Sequence, residues 1–198
     1  MKKITIASIL LILLSLTVYA NALHSDLSQN ILRLHIIANS DSAVDQTLKL
    51  KVRDAIIKEI GADFAEIKDK KEYRKKLIHE SERIKDIADS ILTDTGYKSK
   101  VSFERMYIPR KIYNDIMLPE GSYEALVVRL GKASGKNWWC VVYPPLCFTE
   151  STVGNISEEG KRYLKENLSP SGYSMILKKG VNIKYKFKIV ELFQKLRK

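Results

Sequence analysis

The sequence has few of the residues that usually build catalytic and metal sites. Its 198 residues include only two cysteines and three histidines. No Gly-x-Ser-x-Gly, His-Glu-x-x-His, P-loop or dinucleotide-binding fingerprint occurs, and residues 39–45 lack the glycine and terminal glutamate of an EF-hand loop. We therefore expect a protein that is not an enzyme of these classes and that holds neither a metal nor a cofactor.

Long apolar runs are also scarce, and the single one lies at the N terminus. Lys2 and Lys3 precede an apolar stretch over residues 4–19, followed by Ala20 and Ala22 at the two positions that a signal peptidase reads. This pattern predicts a secretory signal peptide. An uncleaved signal anchor is the alternative, because the run is close to the shortest length that crosses a bilayer.

The rest of the chain shows neither an internal repeat nor a low-complexity linker. We therefore predict three segments: a signal peptide over residues 1–22, a polar tether over 23–30, and a single exported domain over 31–198.

Acidic residues are fewer than basic ones: the chain has 23 aspartates and glutamates and 34 lysines and arginines, which gives a net charge of +11. Loss of Lys2 and Lys3 with the signal peptide leaves +9. Such a charge favours anionic phospholipid or wall polymer, and export argues against nucleic acid as a partner. A wall-binding or lipid-binding module is therefore one functional hypothesis, and its binding would weaken with salt.

Both tryptophans lie in residues 137–148, which also hold two of the five prolines. Side chains alternate along an extended strand, so Trp139 and Tyr143 face one side and Trp138 the other. Pro144 ends the strand, and the Tyr143-Pro144 bond is left open between cis and trans.

The two cysteines, Cys140 and Cys147, belong to the same stretch. Two cysteines in an exported chain favour a structural disulfide, provided that the Pro-Pro step folds the chain back. The competing hypothesis is a secreted cell-wall hydrolase in which His35 activates a free Cys140 thiol. A carboxylate pair drawn from Glu104, Glu120 and Glu124 is a second version of that enzyme.

Hydrophobic periodicity predicts an α+β fold, with an antiparallel sheet and helices packed on one face. The strands at 123–130 and 138–143 are predicted to pair as a hairpin. The other elements are strands at 31–37 and 97–106, helices at 42–60, 66–92 and 157–167, and a last segment at 183–196 left open between strand and helix.

The helix at 42–60 has two distinct faces. A turn at 38–42 precedes it, with Ser42 and Asp45 at capping-box spacing. Its periodicity predicts a buried apolar stripe of Val44, Leu48, Val52, Ala55 and Ile56, and a solvated polar stripe of Thr47, Lys51, Asp54 and Lys58.

Separated motifs in a fixed order carry a family resemblance over residues 30–148. The motifs are Leu32-Arg33-Leu34-His35-Ile36-Ile37-Ala38-Asn39-Ser40-Asp41-Ser42, Asp45-Gln46, Lys51-Val52-Arg53-Asp54-Ala55, Gly121-Ser122-Tyr123-Glu124-Ala125, Asn137-Trp138-Trp139-Cys140 and Pro144-Pro145-Leu146-Cys147-Phe148. With these motifs the chain resembles the stage II sporulation protein R family of endospore-forming Firmicutes.

The resemblance implies a signalling protein of sporulation, made in the forespore and exported into the space between forespore and mother cell. There it would activate a membrane-embedded aspartic protease, stage II sporulation protein GA, which processes the precursor of mother-cell sigma factor E. The family supplies no catalytic residue to carry onto this chain. The candidate partner-binding residues are Asn39, Asp41, Thr47, Lys51, Asp54, Lys58, Trp138 and Tyr143.

Overall fold

The computed structural model describes residues 2–64, 66–113, 115–144 and 158–177. Within these ranges it confirms the α+β class. The helices are α1 (Lys2–Asn30), α2 (Ala43–Phe64), α3 (Lys70–His79), α4 (Ser81–Ile91), α5 (Glu158–Asn167) and α6 (Pro170–Ile176). The strands are β1 (Leu32–Ile37), β2 (Ser99–Ile108), β3 (Lys111–Tyr113), β4 (Ile116–Leu118), β5 (Gly121–Leu130) and β6 (Asn137–Tyr143).

The main sheet has the strand order β2-β5-β1-β6. β5 pairs antiparallel with β2, whereas β1 runs parallel to β5 and antiparallel to β6. The predicted hairpin of β5 and β6 is therefore wrong, because β1 lies between them. β1 is buried along nearly its whole length, even at Arg33 and His35, which favours a central position over an edge.

One face of the sheet carries the larger hydrophobic core, which we call cluster 1. Leu32, Leu34 and Ile36 of β1 pack there with residues of α2, α3 and α4. From α2 the core receives Val52 and Ile56, as predicted. Val44, which was assigned to the same stripe, is instead 69% exposed.

The other face of the sheet is covered too, by a second core that we call cluster 2. Its residues come from the end of α1, from α5 and α6, and from the small β3-β4 hairpin, which lies between the predicted strands at 97–106 and 123–130. Val127 and Val141 of the sheet lie at its centre. Helices on the second face thus add a layer to the predicted arrangement.

The end of α1 is part of the folded domain. Leu27 is fully buried in cluster 2, and Asp26 accepts hydrogen bonds from the backbone nitrogen (3.1 Å) and the hydroxyl (2.7 Å) of Ser169, the N-cap of α6. The segment predicted as a tether therefore includes core residues. Leu10, Leu11 and Leu14, earlier in α1, are more than half exposed.

None of the helices that the structure describes is long and apolar enough to cross a membrane.

Two helix boundaries differ from the sequence prediction. α2 continues through Gly61 to Phe64, because Phe64 is fully buried against the ring of Tyr73, with centroids 4.7 Å apart. The helix predicted at 66–92 is divided at Glu80 into α3 and α4. The predictions for Cys147 and for the segment at 183–196 lie outside the described residues.

Candidate partner-binding surface

The turn that leads into α2 is tied to the loop between β5 and β6. The Asn39 side-chain amide donates to Asp45 (2.8 Å), and its oxygen accepts from the backbone nitrogen of Lys132 (2.9 Å). Asp41 accepts from the backbone nitrogen of Lys136 (2.7 Å). Asn39 and Asp41, both predicted to contact a partner, therefore hold the loop that carries the chain over the end of β1.

Asp45 is the buried centre of this turn. Its carboxylate accepts from the hydroxyl of Ser40 (2.5 Å) and from Asn39, and these hydrogen bonds lower its pKa. The Asp45 backbone nitrogen donates to the Ser42 hydroxyl (3.2 Å), which confirms Ser42 as a cap. Sequence reasoning recognised the cap but missed that the carboxylate organises the whole turn.

The loop approaches the turn so closely that Gly135 has no room for a side chain. A Cβ at Gly135 would lie 2.2 Å from the backbone oxygen of Ser40. The loop also donates from the backbone nitrogens of Ser134 and Gly135 to the carbonyls of residues 39 and 38. The two segments form one rigid unit at this end of the sheet.

The outward face of α2 is the most accessible of the predicted contact regions. Thr47, Lys51, Asp54 and Lys58 are all exposed, as the polar stripe predicted. Asp54 is paired with Arg53 (2.7 Å), whereas Lys51 and Lys58 form no ion pair with another described residue. We call these four residues, together with exposed Val44, the α2 face.

A shallow depression of about 300 Å³ lies on the α2 face. It is lined by Ala43, Val44, Thr47, Leu48 and Lys51. Its lining is mainly apolar, with Ala43, Val44 and Leu48, and Lys51 adds one cation.

Trp138 lies beside α2 and is only partly available to a partner. Its ring packs against cluster 1 and lies 5.4 Å from the guanidinium carbon of Arg53. Trp139 points to the opposite face and packs against cluster 2. The predicted division of the two tryptophans between faces is confirmed, although both are half-buried.

Tyr143 is not a surface residue, which corrects its assignment as a partner-binding residue. It is 3% exposed, and its hydroxyl forms hydrogen bonds with the Lys68 carbonyl and the Tyr163 hydroxyl, each at 2.6 Å. The Tyr143-Pro144 bond, left open by the sequence, is cis. Tyr143 was misassigned because the helices that cover it cannot be read from the strand alone.

The thiol-hydrolase hypothesis fails on geometry. Cys140 lies in cluster 1, whereas the His35 ring stacks on Trp139 on the opposite face, with centroids 3.5 Å apart. The sheet separates the two side chains, so the His35 imidazole cannot take a proton from Cys140. Burial, the largest cause, lowers the pKa of His35 to about 4.

The carboxylates proposed for a glycosidase do not converge either. Glu104 is paired with Arg129 (2.8 Å) on the cluster 2 face, while Glu124 is paired with Arg74 (2.9 Å) on the cluster 1 face. Burial raises the pKa of Glu104, but the bonds from Arg129 and Ser102 outweigh it and lower the pKa overall. A general acid would require the opposite shift. Glu120 is exposed.

Arg33 is a buried cation whose role the sequence did not indicate. It is fully buried, donates from Nε to the Cys140 carbonyl (3.0 Å) and from Nη2 to the Tyr113 hydroxyl (3.0 Å), and lies over the ring of Tyr123. Arg33 therefore ties β1 to three other strands, β6, β3 and β5, on the cluster 2 face. The sequence feature that could have revealed this role is the position of Arg33 between apolar residues in β1.

The fold and surface define a class of protein: an α+β domain stabilised by two cores. Among the residues described, no group of histidine, cysteine or carboxylate side chains is arranged to hold a metal ion.

The stage II sporulation protein R family model matches residues 28–153. The chain therefore belongs to the stage II sporulation protein R family, and the resemblance drawn from its motifs is confirmed. It is 39% identical over 130 residues to stage II sporulation protein R of Bacillus subtilis (strain 168). That match covers 65% of this chain and 58% of the relative's length. No solved structure matches the chain.

Proposed function

We propose that this protein is an exported signal of sporulation that activates a membrane-embedded aspartic protease, stage II sporulation protein GA. The protease then processes the precursor of mother-cell sigma factor E. The site of action is the space between forespore and mother cell. The observation that carries the proposal is family membership over residues 28–153, and the signal peptide predicted from the N-terminal sequence supports export.

The physical basis of activation is differential binding. A ligand shifts an equilibrium between two states only if it binds one of them more tightly. The exported domain therefore binds the active state of the protease better than the inactive state. No chemistry by the domain itself is required, in keeping with His35 and Cys140 on opposite faces of the sheet.

The α2 face is the contact surface that we assign to the protease. It stands on a helix whose other side is anchored in cluster 1 by Val52 and Ile56, and its N-terminal end is fixed by the Asn39 and Asp45 bonds. Such rigid support reduces the entropy lost on binding. Lys51 and Lys58 give the face a positive charge that would meet carboxylates on the protease.

Reversing the charge of the α2 face is expected to impair activation. The variant carries Lys51→Glu together with Lys58→Glu. It is compared with the native domain in cells that make the protease and the sigma-factor precursor, by immunoblot of precursor and mature sigma factor. Because like charges would then oppose each other, we expect mature sigma factor to fall by about tenfold at equal amounts of exported domain.

The matched control changes the same charge elsewhere. Lys71 and Lys75 are exposed on α3, so Lys71→Glu with Lys75→Glu should leave processing unchanged. Equal loss in both variants would show a general charge effect and contradict the assignment of the α2 face. Absence of processing with the native domain would contradict the proposed function itself.

The proposal includes a structural disulfide between Cys140 and Cys147. Closing so short a loop stabilises by about 2.5 kcal/mol on the chain-entropy estimate. We therefore expect Cys140→Ser with Cys147→Ser to lower the free energy of unfolding by about that amount, measured by urea denaturation of the purified domain. Titration of the native protein should find no free thiol, and detection of one would contradict the disulfide.

A further inference from the structure

β2 is an edge strand with ten residues, Ser99–Ile108. It pairs with β5 along its whole length, and no strand in the described ranges pairs with its other side. Long open edges are uncommon because their backbone groups can pair with another chain. The outer side of β2 is therefore a candidate surface for pairing with another strand.

Alternate backbone groups of β2 point away from the sheet. The Gly131 nitrogen donates to the Lys98 carbonyl (3.0 Å). This bond shows which residue pairs of β2 and β5 are hydrogen-bonded. Counting from this pair, the even-numbered residues of β2 bond to β5, while the N–H and C=O groups of the odd-numbered residues face outward. The backbone nitrogen of Ser99 is the first of these and donates to Asp89 (2.6 Å). The next outward positions are Val101, Phe103, Arg105 and Tyr107.

The side chains beside these groups provide both apolar and aromatic area. Val101 and Phe103 are half-buried and pack against cluster 1, and the guanidinium carbon of Arg74 lies 4.8 Å from the Phe103 ring centroid. Tyr107 is 65% exposed. An added strand would find apolar contacts at one end of this edge and a large aromatic surface at the other.

The same edge carries an excess of positive charge around one carboxylate. Glu124 lies 2.9 Å from Arg74 and 3.7 Å from Lys70, and Arg105 is its register partner across β2 and β5. Burial is the main cause of the lowered pKa of Lys70, and Arg105 and Arg74 lower it further. Two cations thus share one anion on the cluster 1 face, with Arg105 beside that anion in register, and exposed Lys100 lies further along the strand on the other face.

We propose that the outer edge of β2 binds an extended, acidic segment of a partner protein, which adds to the sheet as a fifth strand. Backbone groups of Val101 to Tyr107 supply the hydrogen bonds of the new ladder, and Arg105 with Arg74 meets the carboxylates of the segment. A second copy of this chain fits less well. Antiparallel pairing of two β2 strands would place two such groups of cations on the same face.

The test uses residues 23–198, the chain that remains after removal of the predicted signal peptide, and a synthetic peptide with both ends capped, Val-Thr-Val-Thr-Glu-Thr-Glu. In an extended strand its valines and glutamates share one face. We expect saturable binding in fluorescence anisotropy, and at least tenfold weaker binding of the peptide with lysine in place of glutamate. Methylation of one set of alternate peptide amides should abolish binding, while methylation of the complementary set should leave it unchanged.

Protein variants separate the backbone contribution from the charge. Tyr107→Pro removes an outward N–H and leaves the ladder to β5 intact, so it should weaken binding by about tenfold. Arg105→Glu should weaken binding of the acidic peptide by about tenfold and improve binding of the lysine peptide, whereas Arg105→Lys should keep the native preference. Thermal unfolding by circular dichroism confirms that each variant is folded.

Several results would overturn the inference. Equal binding of the two methylated peptides would show simple electrostatic attraction without strand addition. A dimer in sedimentation that is lost in Tyr107→Pro would assign the edge to a second copy. Peptide binding that appears only after removal of residues 178–198 would assign the edge to the chain's own C-terminal segment. Processing of the sigma-factor precursor is a separate readout, so failure here leaves the proposed function standing.

Discussion

Tyr143→Ala is expected to lower the free energy of unfolding by about 3–5 kcal/mol, the usual cost of removing a buried aromatic ring. Its ring makes edge contacts with Tyr73 and Tyr163, at centroid distances of 5.1 and 5.6 Å. Chemical denaturation of the purified domain, followed by tryptophan fluorescence, measures the loss. Because the residue is buried, the defect is one of stability and not of a missing surface contact.

The companion variant Tyr143→Phe keeps the ring and removes the hydroxyl. The Tyr143 and Tyr163 hydroxyls and the Lys68 carbonyl lie within 2.6 Å of one another. We expect Tyr143→Phe to cost about 1–2 kcal/mol, because the remaining polar groups lose one partner. If Tyr143→Ala were as stable as the native domain and impaired only protease activation, the burial of Tyr143 in this fold would be contradicted.

Stability is expected to fall as the pH drops from about 6.5 toward 4, because of His35. Burial is the first cause of its low pKa, about 4 in the folded state against 6.5 for the ordinary side chain. Between these values the unfolded state binds the proton more readily, so protonation favours unfolding. The contribution is complete above pH 6.5, and about 3 kcal/mol is lost by pH 4.

The measurement is a series of urea denaturation curves across this pH range. Carboxylates also begin to titrate near its lower end, so the informative quantity is the difference between native protein and His35→Phe. Phenylalanine can stack on Trp139 without a proton to bind, and it should remove most of the slope between pH 6.5 and 5. An identical slope in both proteins would show that other groups cause the pH dependence.

The family motifs fall mainly on residues that hold the fold together. Asn39 and Asp41 tie the turn before α2 to the loop before β6, and Ser40 donates to Asp45 within the turn. Arg33 joins β1 to β6 and β3. The α2 face and the outer edge of β2 are supported by this framework. Contacts with partners are therefore expected at the few exposed motif residues, such as Lys51 on the α2 face, and on neighbouring surfaces whose positions the motifs set.

Local patterns in the sequence correctly placed most of the described helices and strands. The polar stripe of Thr47, Lys51, Asp54 and Lys58 was identified because a helix of period 3.6 has one exposed face whatever it packs against. The alternation of Trp138 and Trp139 followed from the period of a strand. The separated motifs were sufficient to identify the family, because they are recognised by their order along the chain without knowledge of the fold.

The sequence by itself thus determined the α+β class, the element types and the family, because these depend on local periodicity and on motif order. The tertiary structure decided the neighbours of each strand. Only the register of β1 against β6, which pairs His35 with Trp139 and Leu34 with Cys140, places His35 and Cys140 on opposite faces of the sheet. Likewise, only the packing of α3 and α5 against Tyr143 buries it. Such contacts join residues far apart in the chain, so no local pattern encodes them.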